Sequence, residues 1–165
     1  MTETRVVLVP GVLALMPEYA GLDDPVADLR AACLRAVAWL GESVEVVASD
    51  QGRRVADHLL GVAPPRDGDH PSYLVVGNGS ACRTEKAPGH LDERAASFDD
   101  ALCAALTAPD PAALAAVDQV LAAELWADTG SFPRLAELLT PDAEVSVDLD
   151  DDPFGVQYWV LRWQV

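Results

Sequence analysis

The sequence predicts an α/β fold: a three-layer domain with a central mixed, mostly parallel sheet, helices on both faces and an antiparallel hairpin at its C-terminal end. Three observations predict it. Short apolar runs alternate with a helical pattern up to Val76, helical patterns cluster from 91 to 141, and two strand patterns then flank an acidic turn. The 165 residues fit one domain, 1–165. A chain of that size buries roughly 70% of its unfolded surface.

Arg5-Val-Val-Leu-Val9 is a continuous apolar run stopped by Pro10-Gly11, which suits a strand buried on both faces. Pro17 and Gly21 keep the mixed stretch after it from forming one long helix. Asp23 or Asp24 can cap a helix with Pro25 at its first position. Val26, Leu29, Cys33, Val37 and Leu40 then recur at steps of three and four until Gly41. Ser43-Val-Glu-Val-Val-Ala-Ser49 reads as a second strand, so a βαβ unit with a parallel pair is expected. Residues 53–60 suit a short helix, residues 61–70 a surface loop, and residues 72–76 a third strand.

Beyond a glycine-rich turn, Leu91, Ala95, Phe98, Leu102 and Leu106 give helical spacing over 91–108, and Pro109-Asp-Pro111 breaks it. Asp110-Pro111 starts another helix, 110–126, with Leu114, Val117, Leu121 and Leu125 on one stripe. A third short helix starts at Ser131-Phe-Pro-Arg134 and ends before Pro141. Glu144-Val-Ser-Val-Asp-Leu149 and Gly155-Val-Gln-Tyr-Trp-Val-Leu-Arg-Trp163 are the strands of an edge hairpin. In its second strand Trp159 and Trp163 share a face and pack on helices.

A formal charge of −16 repels polyanions, which excludes nucleic acid and anionic membrane surfaces as partners. No apolar run approaches the roughly 20 residues that cross a bilayer. The N-terminus carries Glu3 and reaches Pro10 after four apolar residues, too few for a signal-peptide core, so a cytoplasmic protein is expected. Cys33, Cys82 and Cys103 are odd in number and far apart, so they read as small apolar residues rather than a disulfide framework or a metal pair. An oligomer is compatible with all of this.

The stretch Tyr73-Leu-Val-Val-Gly-Asn-Gly-Ser-Ala-Cys-Arg-Thr-Glu-Lys86 concentrates the candidate chemistry. An apolar strand runs into glycines that can present backbone N–H groups to an anion, and two of the eleven basic residues follow. Asn78, Ser80, Arg83 and Lys86 are the candidate ligand-binding residues, favouring a small carboxylate or phosphate. Gly77-Asn-Gly79 lacks the third glycine of a dinucleotide fingerprint, and no phosphate-loop lysine motif is present. The bland readings are a turn at a strand end, and pairing of Arg83 and Lys86 with acidic residues such as Asp92 and Glu93.

A Cys82 nucleophile would need a base that the sequence does not supply nearby. His58, His70 and His90 lie 12 and 20 residues apart, so no metal site is encoded locally, although they could converge with carboxylates in the fold. Asp148-Leu-Asp-Asp-Asp152 begins like a calcium loop, but Pro153 stands where glycine is needed and Trp159 where a glutamate is needed.

Gly77-Asn-Gly-Ser-Ala81, Ala87-Pro-Gly-His-Leu-Asp-Glu-Arg94 and Phe98-Asp99 together resemble the LigB-like class III extradiol ring-cleavage dioxygenase superfamily, closest to its small alanine-rich actinobacterial members. Pro17-Glu18, the helix 110–126 and Phe154-Gly-Val-Gln-Tyr-Trp159 follow in the family's order. The resemblance implies a non-haem Fe(II) held by two histidines and a glutamate, with open positions for a catechol and O₂.

This chain departs from the family at the positions that carry the chemistry. The first histidine motif falls on Pro10-Gly-Val-Leu13, the second on Ser49-Asp-Gln-Gly52 with Gln51 at the ligand position, and the acid/base histidine on Ala81. The expectation is therefore a LigB-like protein that has lost its Fe(II) site and its ring-cleaving activity, with no metal or cofactor and a small anionic ligand at the 77–86 loop. The alternative is an active metal-dependent oxidoreductase with non-standard ligands drawn from His58, His70 or His90.

Overall fold

The computed structural model describes residues 3–16 and 24–165, so Pro17, Glu18, Gly21 and Asp23 of the sequence reading lie outside the described residues. Five strands, β1 (Arg5–Val9), β2 (Val44–Val47), β3 (Ser72–Val76), β4 (Glu144–Asp151) and β5 (Tyr158–Gln164), form one mixed sheet in the order β2-β3-β1-β5-β4. β3 runs parallel to both β1 and β2, whereas β5 runs antiparallel to both β1 and β4. The α/β class, the parallel core and the C-terminal antiparallel pair thus follow the sequence.

The direct pairing of the first two strands does not. β3 lies between them, and its Leu74, Val75 and Val76 are fully buried. β2 exposes Glu45 and takes the edge. An apolar strand suits the centre and a short charged one suits the edge, which is what separates them.

The helices are α1 (Ala27–Ala38), α2 (Asp50–Val62), α3 (Ala95–Thr107), α4 (Pro111–Ala115), α5 (Gln119–Glu124) and α6 (Phe132–Leu138). α1 starts two residues beyond Pro25. Asp24 accepts from the Val26 N–H at 3.3 Å and pairs with Arg30, closing a turn before the helix rather than capping it. α2 starts three residues earlier than its apolar spacing suggests. The Ser49 hydroxyl accepts from the Gly52 N–H at 3.2 Å, and this cap makes residues 50–52 its first turn.

Side chains on β1, β3 and β5 alternate between two apolar clusters, one on each face of the sheet. Val7, Val9, Leu74, Val76 and Val160 pack with Cys33 and Val37 of α1 and Val55 and Leu59 of α2. Val6, Leu8, Val75, Trp159, Leu161 and Trp163 pack with Leu102 and Leu106 of α3, Leu114 of α4, and Phe132 and Leu135 of α6. Trp159 and Trp163 are wholly buried on that second face, as their spacing requires, and Trp163 Nε1 donates to the Leu106 carbonyl at 3.1 Å.

Two expected helices are shorter than their patterns. α3 begins at Ala95, leaving Leu91 53% exposed, because the Asp92 carboxylate accepts the Arg94 N–H at 2.9 Å and holds a turn ahead of the helix. The helix expected over 110–126 is two helices. Asp118 accepts from the N–H groups of Val120 and Leu121 at 3.1 and 3.0 Å, a fresh N-terminal cap that divides the segment. Among the described residues no helix is long and apolar enough to cross a membrane.

Candidate functional site

β3 delivers the glycine-rich segment to the C-terminal edge of the sheet, where its backbone donors are committed to the protein. The N–H groups of Gly77, Asn78, Gly79 and Ala81 donate to the carbonyls of Val9, Asp128, Gln157 and Leu125 at 3.0, 2.9, 3.0 and 2.9 Å. The Ser80 N–H donates to Asp99 Oδ1 at 2.7 Å. Only glycine lets the chain pass at position 79, since a Cβ there would lie 2.6 Å from Asp99 Oδ1 and 2.7 Å from the Gln157 Cβ. The amides of residues 77–81 are therefore not free to cradle an anion.

The candidate side chains Asn78, Ser80 and Arg83 are drawn inward. Asn78 and Ser80 are buried. Asp99, 1% exposed on α3, accepts from the Ser80 hydroxyl at 2.6 Å and from Arg83 Nη1 at 3.0 Å, while Arg83 Nε reaches Asp152 at 2.7 Å. The partners of Arg83 are therefore Asp99 and Asp152 rather than Asp92 and Glu93. Two carboxylates answer its charge and raise its pKa further above the ordinary arginine value against the opposing effect of burial. Lys86 stands apart and exposed, lining a surface hollow of about 560 Å³ with Thr84, Asp152 and Phe154.

Burial, followed by the nearby Asp92 and Asp99 carboxylates, pushes the Cys82 thiol up, opposite to what a nucleophile needs. Burial likewise pushes the Cys33 thiol up to about 12. His58 lies on α2, His70 just before β3, and His90 on an exposed loop with φ of 60°. Among the described residues no group of three or more His, Cys, Asp or Glu side chains is arranged to hold a metal ion. The acidic run 148–152 is similarly distributed: Asp148 binds Arg162 at 2.6 Å, Asp150 accepts from Gln157 at 2.7 Å, and Asp152 binds Arg83.

A different arrangement forms where β1, β2 and β3 end together, the edge at which open α/β sheets bind ligands. Gln51, on the first turn of α2, donates from Nε2 to the Gly11 carbonyl at 2.8 Å, tying the segment after β1 to the segment after β2. Gly11 N–H approaches Asn78 Oδ1 at 3.4 Å. Asp128 joins this edge from the segment between α5 and α6, through paired backbone hydrogen bonds with Asn78 of 2.9 and 3.0 Å.

The Asp128 carboxylate is half-buried, and among the described residues no hydrogen bond or ion pair reaches it. Burial alone raises its pKa above the ordinary carboxylate value. It lines a cavity of about 290 Å³ with Val47, Ala48, Ser49, Gly130, Ser131 and Arg134. Ser131 donates its hydroxyl to the Val47 carbonyl at 3.2 Å. Arg134 pairs with Glu137 at 2.8 Å and lies 3.9 Å from Glu45, both exposed carboxylates.

Sequence reasoning missed Asp128, Ser131 and Arg134. Ala127-Asp-Thr-Gly-Ser131 reads locally as an ordinary helix connection. The pairing of Asn78 with Asp128, fifty positions later, and the Ser131 hydroxyl on the Val47 carbonyl bring it to the strand ends. No model of a known protein family matches this chain, and no curated protein matches it.

Proposed function

We propose that this chain is a LigB-like scaffold, resembling the extradiol ring-cleavage dioxygenases, that has no iron centre and binds a small polar molecule in the cavity at the carboxyl ends of its parallel strands. The observation that carries this reading is Asp128: a half-buried carboxylate without a partner among the described residues, lining a cavity at the edge of an α/β sheet where ligands bind. A ligand seated there takes the place of solvent as the hydrogen-bond partner of this half-exposed carboxylate.

Fe(II), which the resemblance implies, does not fit the donors present. The corresponding positions offer a Pro10-Gly-Val-Leu13 segment, an amide at Gln51 whose nitrogen already binds the Gly11 carbonyl, and a methyl group at the buried Ala81. An amide is a poor replacement for imidazole at iron. Asp128 accepts a hydrogen bond from the ligand, Arg134 offers an anion-binding group, and the hydroxyls of Ser49 and Ser131 orient what the cavity holds. Recognition of an anion is assigned to Arg134, whose two carboxylate partners are exposed and screened, rather than to Arg83, which is held by the buried Asp99.

Two measurements test this reading. Protein purified without chelators should carry no stoichiometric iron and should not open the ring of catechol when Fe(II) and O₂ are added. Small polar fragments should shift amide resonances of residues 47–51 and 128–134 in ¹H–¹⁵N correlation spectra. Stoichiometric iron with ring opening would overturn the first half, and shifts confined to residues 84–86 the second.

A further inference from the structure

Asp128 and Arg134 both line this cavity and do not pair with each other. The ion pairs of Arg134 go outward, to Glu137 at 2.8 Å and Glu45 at 3.9 Å, while Asp128 has no ionic partner among the described residues. Both Glu45 and Glu137 are more than half exposed, so their hold on Arg134 is screened by water and weak. Opposite charges in one cavity, with neither satisfied by the other, form a dipolar receptor.

Resting on the ligand-binding reading above, we infer that the ligand is a small zwitterion, a free α-amino acid or a molecule of the same chemistry, with its ammonium on Asp128 and its carboxylate on Arg134. Three features support this class. The cavity is a shallow, solvent-open one of about 290 Å³, just below the range of about 300–1,000 Å³ typical for drug-sized ligands, which favours a small occupant. The chain's charge of −16 disfavours a purely anionic ligand at long range, whereas a zwitterion carries no net charge and meets no such penalty. Ser49 and Ser131 line the same cavity, and their hydroxyl oxygens, engaged with the Gly52 N–H and the Val47 carbonyl, each keep a lone pair for an ammonium proton.

The test is an NMR titration of ¹⁵N-labelled protein with glycine, L-alanine and L-serine, and with methylammonium and acetate as half-ligands. Saturable shifts within 47–51 and 128–134 are expected with the amino acids, and binding of each half-ligand should be weaker by about tenfold or more, the usual value of one charge-assisted hydrogen bond. Asp128→Asn and Arg134→Gln should each weaken amino-acid binding by about tenfold or more for the same reason. Arg134→Gln should keep a wild-type melting profile, since its side chain is not wholly buried, and Asp128→Asn should melt higher than wild type at neutral pH.

Acetate binding as tightly as L-alanine would overturn the zwitterion in favour of a carboxylate site, and equal binding of methylammonium would overturn it in favour of an ammonium site. Shifts at this cavity with other polar fragments but none with the amino acids would overturn the inference and leave the ligand-binding reading standing. No shift there with any probe would overturn both.

Discussion

Asp99 and Asp128 are both acidic residues near the same strand ends, and their surroundings set them to opposite tasks. Asp99 is sealed in and takes two hydrogen bonds from Ser80 and one from Arg83, so it fixes the loop after β3. Removing it strands Ser80 and half of the Arg83 pairing in a buried place, and Asp99→Ala should cost about 3 kcal/mol in urea unfolding. Asp128→Asn should act the other way.

The native pKa of Asp128 is raised by burial, so in acid both folded and unfolded chains hold its proton and the group is neutral to stability. As pH rises the unfolded chain loses the proton first, and stability falls until the native carboxyl also ionises. Asp128→Asn should therefore raise the melting temperature at neutral pH, with the gain vanishing in acid, while weakening the ligand. A melting temperature unchanged or lowered at neutral pH would refute a strained carboxylate. The internal pairing of Arg83 was legible in so acidic a chain. Its partners were not, because Asp152 lies 69 positions away and comes near only through the hairpin.

At the scale of elements, apolar period and turn residues located β1 and β3 to the residue, since a continuous apolar run bounded by Pro10-Gly11 or Gly77 admits few alternatives. Side-chain caps were harder to read because they compete with apolar spacing. Ser49 lengthened α2, and Asp118 cut a regular Leu114, Val117, Leu121, Leu125 stripe into α4 and α5. Asp118→Ala should cost about 1 kcal/mol, the usual loss of an N-terminal cap. The amides of Val120 and Leu121 should then exchange faster with solvent. If their exchange is unaltered, the division at Asp118 has another origin. The strand ends that frame the cavity could be anticipated from the α/β class. The segment that brings Asp128 to them could not, because its placement depends on backbone pairing with Asn78 rather than on any local pattern.

For the whole molecule, the fold class could be read because alternation of strands and helices is a property of the entire chain, insensitive to errors at single boundaries. The order of strands needed the structure, since the relative burial of β2 and β3 decides which lies inside. Net charge acts at this scale as well. With −16 to accommodate, self-repulsion outweighs the few exposed ion pairs, so raising sodium chloride from low to physiological strength should increase the melting temperature. A fall on adding salt would mean that pairs such as Arg162 with Asp148 matter more than the overall field.

β5 sits inside the sheet, with its Gln164 opposite Arg5 of β1. During synthesis, β1 emerges long before the strand that covers its free edge. At about 5–20 residues per second the delay is roughly 8–30 s. Through that interval the nascent chain presents an unpaired edge carrying Val6 and Leu8, whose final partners are not yet made. Completion of this sheet is therefore a late, long-range event, and until β5 arrives β1 has β3 as its one neighbouring strand.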